Sequence, residues 1–267
     1  DDVTGANREV PSPVFSADSR HVAFMTNASN LVTGITFGAS LGRPNLYVRD
    51  LTTEITSLVS VSQDGTTDGH GSLGIDPNFS ISADGRFVAF ATNADNIAGQ
   101  KYNIFAAHEV FVRDMQRGVT FQVSINKDGT GGANGDSQLS AGRQSISADG
   151  RYVIFNSPST NLTSAGAVSG RNVYLRDMFN GITTLLSANT SGGASGTSSG
   201  EVISSDGRHV AFMANVKLLN SDNNGMNDLY LYDLQAHSLS LVSANTAATN
   251  GGNGDSGFTI GPDGQNG

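Results

Sequence analysis

Ser82-Ala83-Asp84-Gly85-Arg86-Phe87-Val88-Ala89-Phe90 is written four times in this chain with small changes, beginning at Ser16, Ser82, Ser147 and Ser204. A fragment of a fifth copy stands at Ile260-Gly261-Pro262-Asp263-Gly264. Each full copy is followed by a second phrase, such as Val110-Phe111-Val112-Arg113-Asp114, which closes at Asp50, Asp114, Asp177 and Asp233. The first-phrase aspartates Asp18, Asp84, Asp149, Asp206 and Asp263 follow one another at steps of 66, 65, 57 and 57 residues. Self-similarity at a near-fixed period marks a repeat architecture and must be read before any single residue.

Within one unit, Phe79–Ser82, Phe87–Phe90, Glu109–Val112 and Thr120–Val123 are short, β-branched or aromatic, and bounded by turn residues. They predict four strands per unit. No long window holds a sustained helical stripe. The pattern predicts an all-β chain, a β-propeller of four-stranded antiparallel blades. One domain covers 1–267, with blades at about 11–61, 78–125, 143–188 and 200–244 and the first strand of a fifth at 257–267. The redundant strand predicts further blades, from more of the polypeptide, another copy or another chain, as part of a larger propeller. The opening at Asp1 without methionine suggests a processed product.

Asp84-Gly85, Asp149-Gly150 and Asp206-Gly207 sit between strand runs, where a tight hairpin needs positive φ. Asp18-Ser19 departs from this and predicts a strained or different turn. Asp50, Asp114, Asp177 and Asp233 precede a second short turn, whose N–H groups a carboxylate can accept. All seven, Asp84, Asp149 and Asp206 included, read as structural turn residues, because one repeated piece of turn chemistry explains every copy.

The net charge of −9 and pI near 4.8 argue against nucleic acid, whose phosphates need a basic face. There is no cysteine, which removes disulfides, thiolate catalysis and cysteine metal sites. No apolar run is long enough to span a membrane.

At the two repeated phrases the chain resembles the WD40-like PD40 repeats of TolB-type β-propellers, over essentially its whole length and closest to the exported bacterial variety. The matching pieces are Asn134-Gly135-Asp136-Ser137, Ser147 to Phe155, Asn161-Leu162 and Arg171 to Asp177. The family's Asp-x-Asn-Gly piece stands only in the fourth unit, at Asp222-Asn223-Asn224-Gly225, and is replaced by inserts in the first three. The resemblance implies an extracytoplasmic setting (periplasmic, cell-surface or secreted) and speaks to fold far more than to activity.

Long loops rich in glycine, asparagine, serine and aspartate join each unit to the next: Ser62 to Asn78, Asn126 to Arg143, Ala188 to Gly200 and Ala244 to Gly257. They share a face with the loops between second and third strands, and loops on rigid scaffolds carry recognition. The candidate ligand-binding residues are therefore Asp64, Asp68, His70, Asp76, Asn134, Asp136, Glu201, Asn253 and Asp255. Asp222, Asn224 and Asp228 present alternating oxygen donors that resemble part of a calcium loop, without the full EF-hand spacing. Calcium is thus the one cofactor to consider, although Asp/Asn/Gly loops form turns without any ion. No catalytic residue is assigned: no nucleophile elbow or phosphate loop is present, and Glu201 is the one carboxylate considered for catalysis. Three functions follow: a non-catalytic module binding a protein or glycan, a self-associating subunit of a surface layer or filament, and the scaffold of a carbohydrate-active or hydrolytic enzyme.

Overall fold

The computed structural model describes residues 13–38, 43–69, 71, 74–98, 107–141, 144–165, 169–193, 196–247, 250–252 and 254–256. The N-terminal stretch and the fifth-unit strand at 257–267 lie outside them. Every element is a strand. The first sheet is β1 (Val14–Phe15), β2 (His21–Thr26), β3 (Asn45–Asp50) and β4 (Thr56–Leu58). The second is β5 (Ile75–Ile81), β6 (Phe87–Thr92), β7 (Glu109–Asp114) and β8 (Val119–Gln122). The third is β9 (Tyr152–Ser157), β10 (Asn172–Asp177) and β11 (Ile182–Leu185). The fourth is β12 (Ser198–Ile203), β13 (His209–Ala214), β14 (Asp228–Asp233) and β15 (Ser238–Leu241). All are antiparallel meanders in chain order, the blades of a β-propeller, and they are not closed into a ring.

The third sheet lacks a full inner strand. Ser145–Ser147, at the place in the repeat that Ser80–Ser82 holds in the second unit, contributes an isolated bridge between Ile146 and Val153. Its backbone partly serves the neighbours instead: Ser145 N–H donates to Ser80 Oγ (3.2 Å) in the second sheet, and the Gln144 carbonyl accepts Ile203 N–H (3.0 Å) from the fourth.

Alternation along the strands sorts large side chains from small. Phe90 and Phe111 face the first sheet, whereas Ala89, Ala91, Val110 and Val112 face the third. Phe155 and Tyr174 repeat this against the second sheet, and Phe212 and Tyr230 against the third. Each blade thus presents a pair of rings on one side and small residues on the other, so rings of one blade fill the space left by alanine and valine of its neighbour. Ring centroids lie 5.6–6.0 Å apart in these three pairs. Burying one such ring contributes about 1.5–3 kcal/mol. In the first sheet the ring pair is Phe24 and Tyr47, and Val32 with the insert residues Ile35 and Phe37 packs over that side.

The corners are clamped by the same residues in all four sheets, with a fork from Arg20, Arg86 and Arg151 and a single bond from Arg208. In the second sheet Ser82 Oγ donates to Asp84 Oδ1 (2.7 Å), which also accepts Arg86 N–H (3.0 Å). The Arg86 guanidinium then forks onto Asp114 (3.1 and 2.7 Å), and Asp114 accepts the N–H groups of Gln116 and Arg117 (3.0 and 3.1 Å). Arg20–Asp50, Arg151–Asp177 and Arg208–Asp233 repeat the ion pair at 2.6, 2.8 and 3.2 Å. The Arg20 hydrogen bond holds the Asp50 carboxyl well below the usual range. Asp149 and Asp206 likewise accept Ser147 and Ser204 hydroxyls at 2.6 Å.

The Asp-Gly glycine has two duties. Gly150 has φ +73°, and a Cβ there would lie 2.1 Å from the Phe87 ring of the preceding blade. Gly85 meets His21 and Gly207 meets Tyr152 in the same way. Ser19 holds the same positive φ (58°) without glycine.

Gly150→Ala should therefore destabilise more than a positive-φ penalty alone, by about 2–4 kcal/mol in urea unfolding. Ser19→Gly should be neutral or stabilise by up to about 1 kcal/mol. Equal small effects at both positions would show that the Phe87 contact yields without cost.

Candidate functional site

On the loop face, the third strand of the second, third and fourth blades is preceded by a residue whose carbonyl anchors the next loop. His108 O accepts Ser137 N–H (2.8 Å), Arg171 O accepts Ser198 N–H (2.7 Å) and Asn227 O accepts Ser256 N–H (2.6 Å). The aspartate before the serine returns the bond: Asp136 Oδ1 accepts His108 N–H and Asp255 Oδ1 accepts Asn227 N–H, both at 2.9 Å. Asn134 completes this lock, with its Oδ1 accepting Thr160 N–H (2.8 Å) and its Nδ2 donating to Thr160 Oγ1 (2.8 Å).

From Asp136 a polar chain crosses three blades. The Arg171 guanidinium donates to Asp136 Oδ2 (2.9 Å) and, from its other arm, to Asn156 Oδ1 (2.7 Å). Asn156 Nδ2 donates to Glu201 Oε1 (2.9 Å) in β12. On the other side His108 Nδ1 lies 3.3 Å from Asp136 Oδ1. Burial would raise the Asp136 carboxyl, but the His108 and Arg171 hydrogen bonds outweigh it and hold it well below the usual carboxylate range. Asp76 lies the other way: burial raises its carboxyl, against the Asn78 N–H bond and the attraction of His108. Glu201 is fully buried at the irregularity between Ser199 and Val202, where Gly200 has φ +67°. It braces Asn156 from within the blade stack, while Asp136 and Arg171 keep about 30 % of their side chains in solvent.

The other candidates have local partners. Asp64 accepts Ser62 Oγ (2.6 Å) and both Thr66 donors, which lower its carboxyl to about 2. Asp68 is buried beside Asn45 Nδ2 (3.5 Å). Asp222 accepts the Tyr230 hydroxyl. Asn224 donates to the Gly252 carbonyl (2.7 Å) and accepts Met226 N–H (2.9 Å), and Asp228 accepts Ser243 Oγ (2.5 Å). Among the described residues no group of three or more His, Cys, Asp or Glu side chains is gathered to hold a metal ion. His70 and Asn253 lie outside the described residues.

Glu109 escaped the sequence reading. It stands where Asn45, Asn172 and Asp228 stand in the other blades, and all four accept the hydroxyl of a serine just beyond the outer strand: Ser124, Ser60, Ser187 and Ser243. Each serine accepts the next N–H of the third strand, at 2.9–3.1 Å. Burial pushes the Glu109 carboxyl up to about 8, against hydrogen bonds from Ser124, Ala133 N–H and Gln122. The signal was its place directly before the second phrase, aligned with two asparagines.

No protein-family model matches the chain, and no curated protein sequence matches it. Among solved structures it is similar to one described as a TolB from Agrobacterium tumefaciens, at TM-score 0.50 and 14% identity, over 90% of this chain and 64% of that one. It is also similar to the β-propeller domain of the Trilobed protease from Pyrococcus furiosus, at TM-score 0.46 and 11% identity, over 87% of this chain and 57% of that one. This chain therefore spans less than two thirds of the length of either. The first likeness agrees with the TolB-type β-propeller reading of the repeats, and at that identity it is a likeness of fold.

Because Glu109 holds its proton more tightly when folded than when unfolded, stability falls as pH climbs from the free carboxyl value of 4.5 to about 8. Glu109→Gln, a neutral side chain like Asn45 and Asn172, should melt higher than the wild type at pH 8, with the gap closing toward pH 5. An unchanged pH slope in the variant would remove this assignment.

Proposed function

We propose that the chain is a non-catalytic binding module of an extracytoplasmic bacterial propeller, and that it recognises a protein or a glycan through its loop face. The observation that carries this reading is the His108–Asp136–Arg171–Asn156–Glu201 chain. It ties the loop residues His108, Asp136 and Arg171 to strand residues Asn156 and Glu201 across three blades, while leaving the edges of Arg171 and Asp136 open to solvent. A polar surface fixed in advance loses little freedom on binding, which favours affinity. Nothing in the network activates a nucleophile: the one histidine in it faces a carboxylate that an arginine already neutralises. The extracytoplasmic setting is supported by the repeat resemblance alone, and no helix among the described residues is long and apolar enough to cross a membrane.

The test is a glycan array and a panel of purified bacterial envelope proteins, probed with the wild type and with Arg171→Ala. The variant should bind its hit at least about tenfold more weakly. Arg171→Lys should recover little, since the ammonium cannot bridge Asp136 and Asn156 together. Turnover in an esterase and glycosidase panel, abolished by Glu201→Gln, would replace this reading with an enzymatic one.

A further inference from the structure

A cleft of about 380 Å³ opens on the hairpin face, opposite the loops, at the seam between the second and third sheets. Its walls include Arg86, Phe87, Arg117, Phe121, Arg151 and Phe179. Half of these belong to the repeat: Arg86 and Arg151 clamp their corners, and Phe87 is the ring beneath Gly150.

The other half does not. Where Arg117 stands, the other three blades have Thr53, Asn180 and Ala236. Phe121 is matched by Ser57, Thr184 and Ser240, and Phe179 by Thr52, Gln116 and Gln235. Three sister blades fold with small or uncharged residues at each position, so the fold does not require an arginine or a ring there. These departures meet at one seam. Phe179 is 84% exposed and Phe121 40%, an arrangement that forgoes burial.

The accessible charge is positive although the chain carries −9 overall. The Arg117 side chain is 69% exposed, and its nearest carboxylate, Asp114 at 3.9 Å, is 2% exposed and already held by the Arg86 fork. The exposed wall carboxylate, Asp149, is tied to the Ser147 hydroxyl and to Arg151 N–H. The Arg151 guanidinium also lies 5.8 Å from the centre of the Phe179 ring. Rings and arginines are the side chains most often found to anchor interfaces.

We infer that this cleft binds an acidic segment of a partner polypeptide, seating one aromatic side chain against Phe121 and Phe179 with a neighbouring carboxylate on Arg117. A polypeptide suits the place better than a sugar. Phe121 lies on β8, the outermost strand of its sheet, so an extended chain can add to that edge through its backbone. Val112 and Met178 add apolar wall, while the wall carboxylates are already engaged, Asp114 by the Arg86 fork and Asp149 by Ser147 and Arg151 N–H, which leaves few free acceptors for sugar hydroxyls.

The chain has no tryptophan, so a peptide tryptophan emits alone in the mixture. The probe is a short blocked peptide with one tryptophan between glutamates, followed by fluorescence anisotropy as protein is added. Saturable binding is expected, weakened at least about tenfold by Phe179→Ala, by Arg117→Glu, and by lysine in place of the peptide glutamates. Both substitutions fall on exposed side chains, and unchanged melting temperatures will show that the blades are intact. Arg171→Ala, on the opposite face, should leave this binding unchanged whatever it does at the loops. The inference is overturned by no saturation up to about 1 mM. It is equally overturned by equal affinity for the lysine peptide, by indifference to both variants, or by a uronate oligosaccharide that displaces the peptide and binds more tightly.

Discussion

The arginine that spans each blade from its first corner to its second is the constraint on which the other regularities hang. Its backbone N–H is fixed by the aspartate of its own turn, and its fork reaches the aspartate that caps the next turn, as Arg86 does between Asp84 and Asp114. An ion pair with a part-exposed arginine contributes little free energy by itself. The inter-sheet rings and alanines supply far more, since each buried ring is worth more than one such pair. What the clamp sets is angle. With both corners held, the strands between them have one register, so the large faces of one blade meet the small faces of the next. The Asp-Gly glycine then passes the alignment on by admitting the ring of the preceding blade.

This division explains what was legible in the sequence. Strand alternation and corner chemistry are local, and they were readable because each phrase contains all of its own partners or meets them about thirty residues later in the same unit. The large-and-small sorting of blade faces was invisible, since Phe90 and Ala89 look alike as strand residues until the neighbours are placed. Inserts were read only as departures from a motif, yet Ile35 and Phe37, beside Val32, cover the ring side of the first sheet. The third inner strand shrank to a bridge for the same reason: Ser145 and Gln144 find partners in other blades, which no local pattern announces.

The candidate site divides along the same line. Asp64 is a serine-aspartate turn of the kind seen at every first corner, moved into a loop, and its partners are within four residues. Asp222, Asn224 and Asp228, grouped by spacing, each hold a separate structural bond to Tyr230, Gly252 or Ser243. Asp136 and Arg171 lie in different units, and only the stacking of blades brings them together. His108 and Glu109 carried a readable signal, their constant place before the second phrase, but it shows only when the four units are aligned against one another.

That alignment also separates recognition from architecture more sharply than composition does. A repeat chain holds its own control, because four blades solve one packing problem and a residue needed for packing must appear in all four. By this standard the arginines and aspartates of the corners are architecture, and so is the serine behind each third strand; the corner glycine, replaced by Ser19 in the first blade, comes next. The loop-face chain of Asp136 and Arg171 is intermediate: its backbone anchors recur, with Asp255 repeating the cap, while the guanidinium bridge occurs once. Arg117, Phe121 and Phe179 lie at the far end of the scale. They have no counterpart in any sister blade, they converge from two blades on one cleft, and Phe179 leaves more of its side chain in water than any other large apolar residue among those described. Residues that the fold neither repeats nor shelters must answer to something outside it, and on this molecule they gather on the face whose corners otherwise vary least.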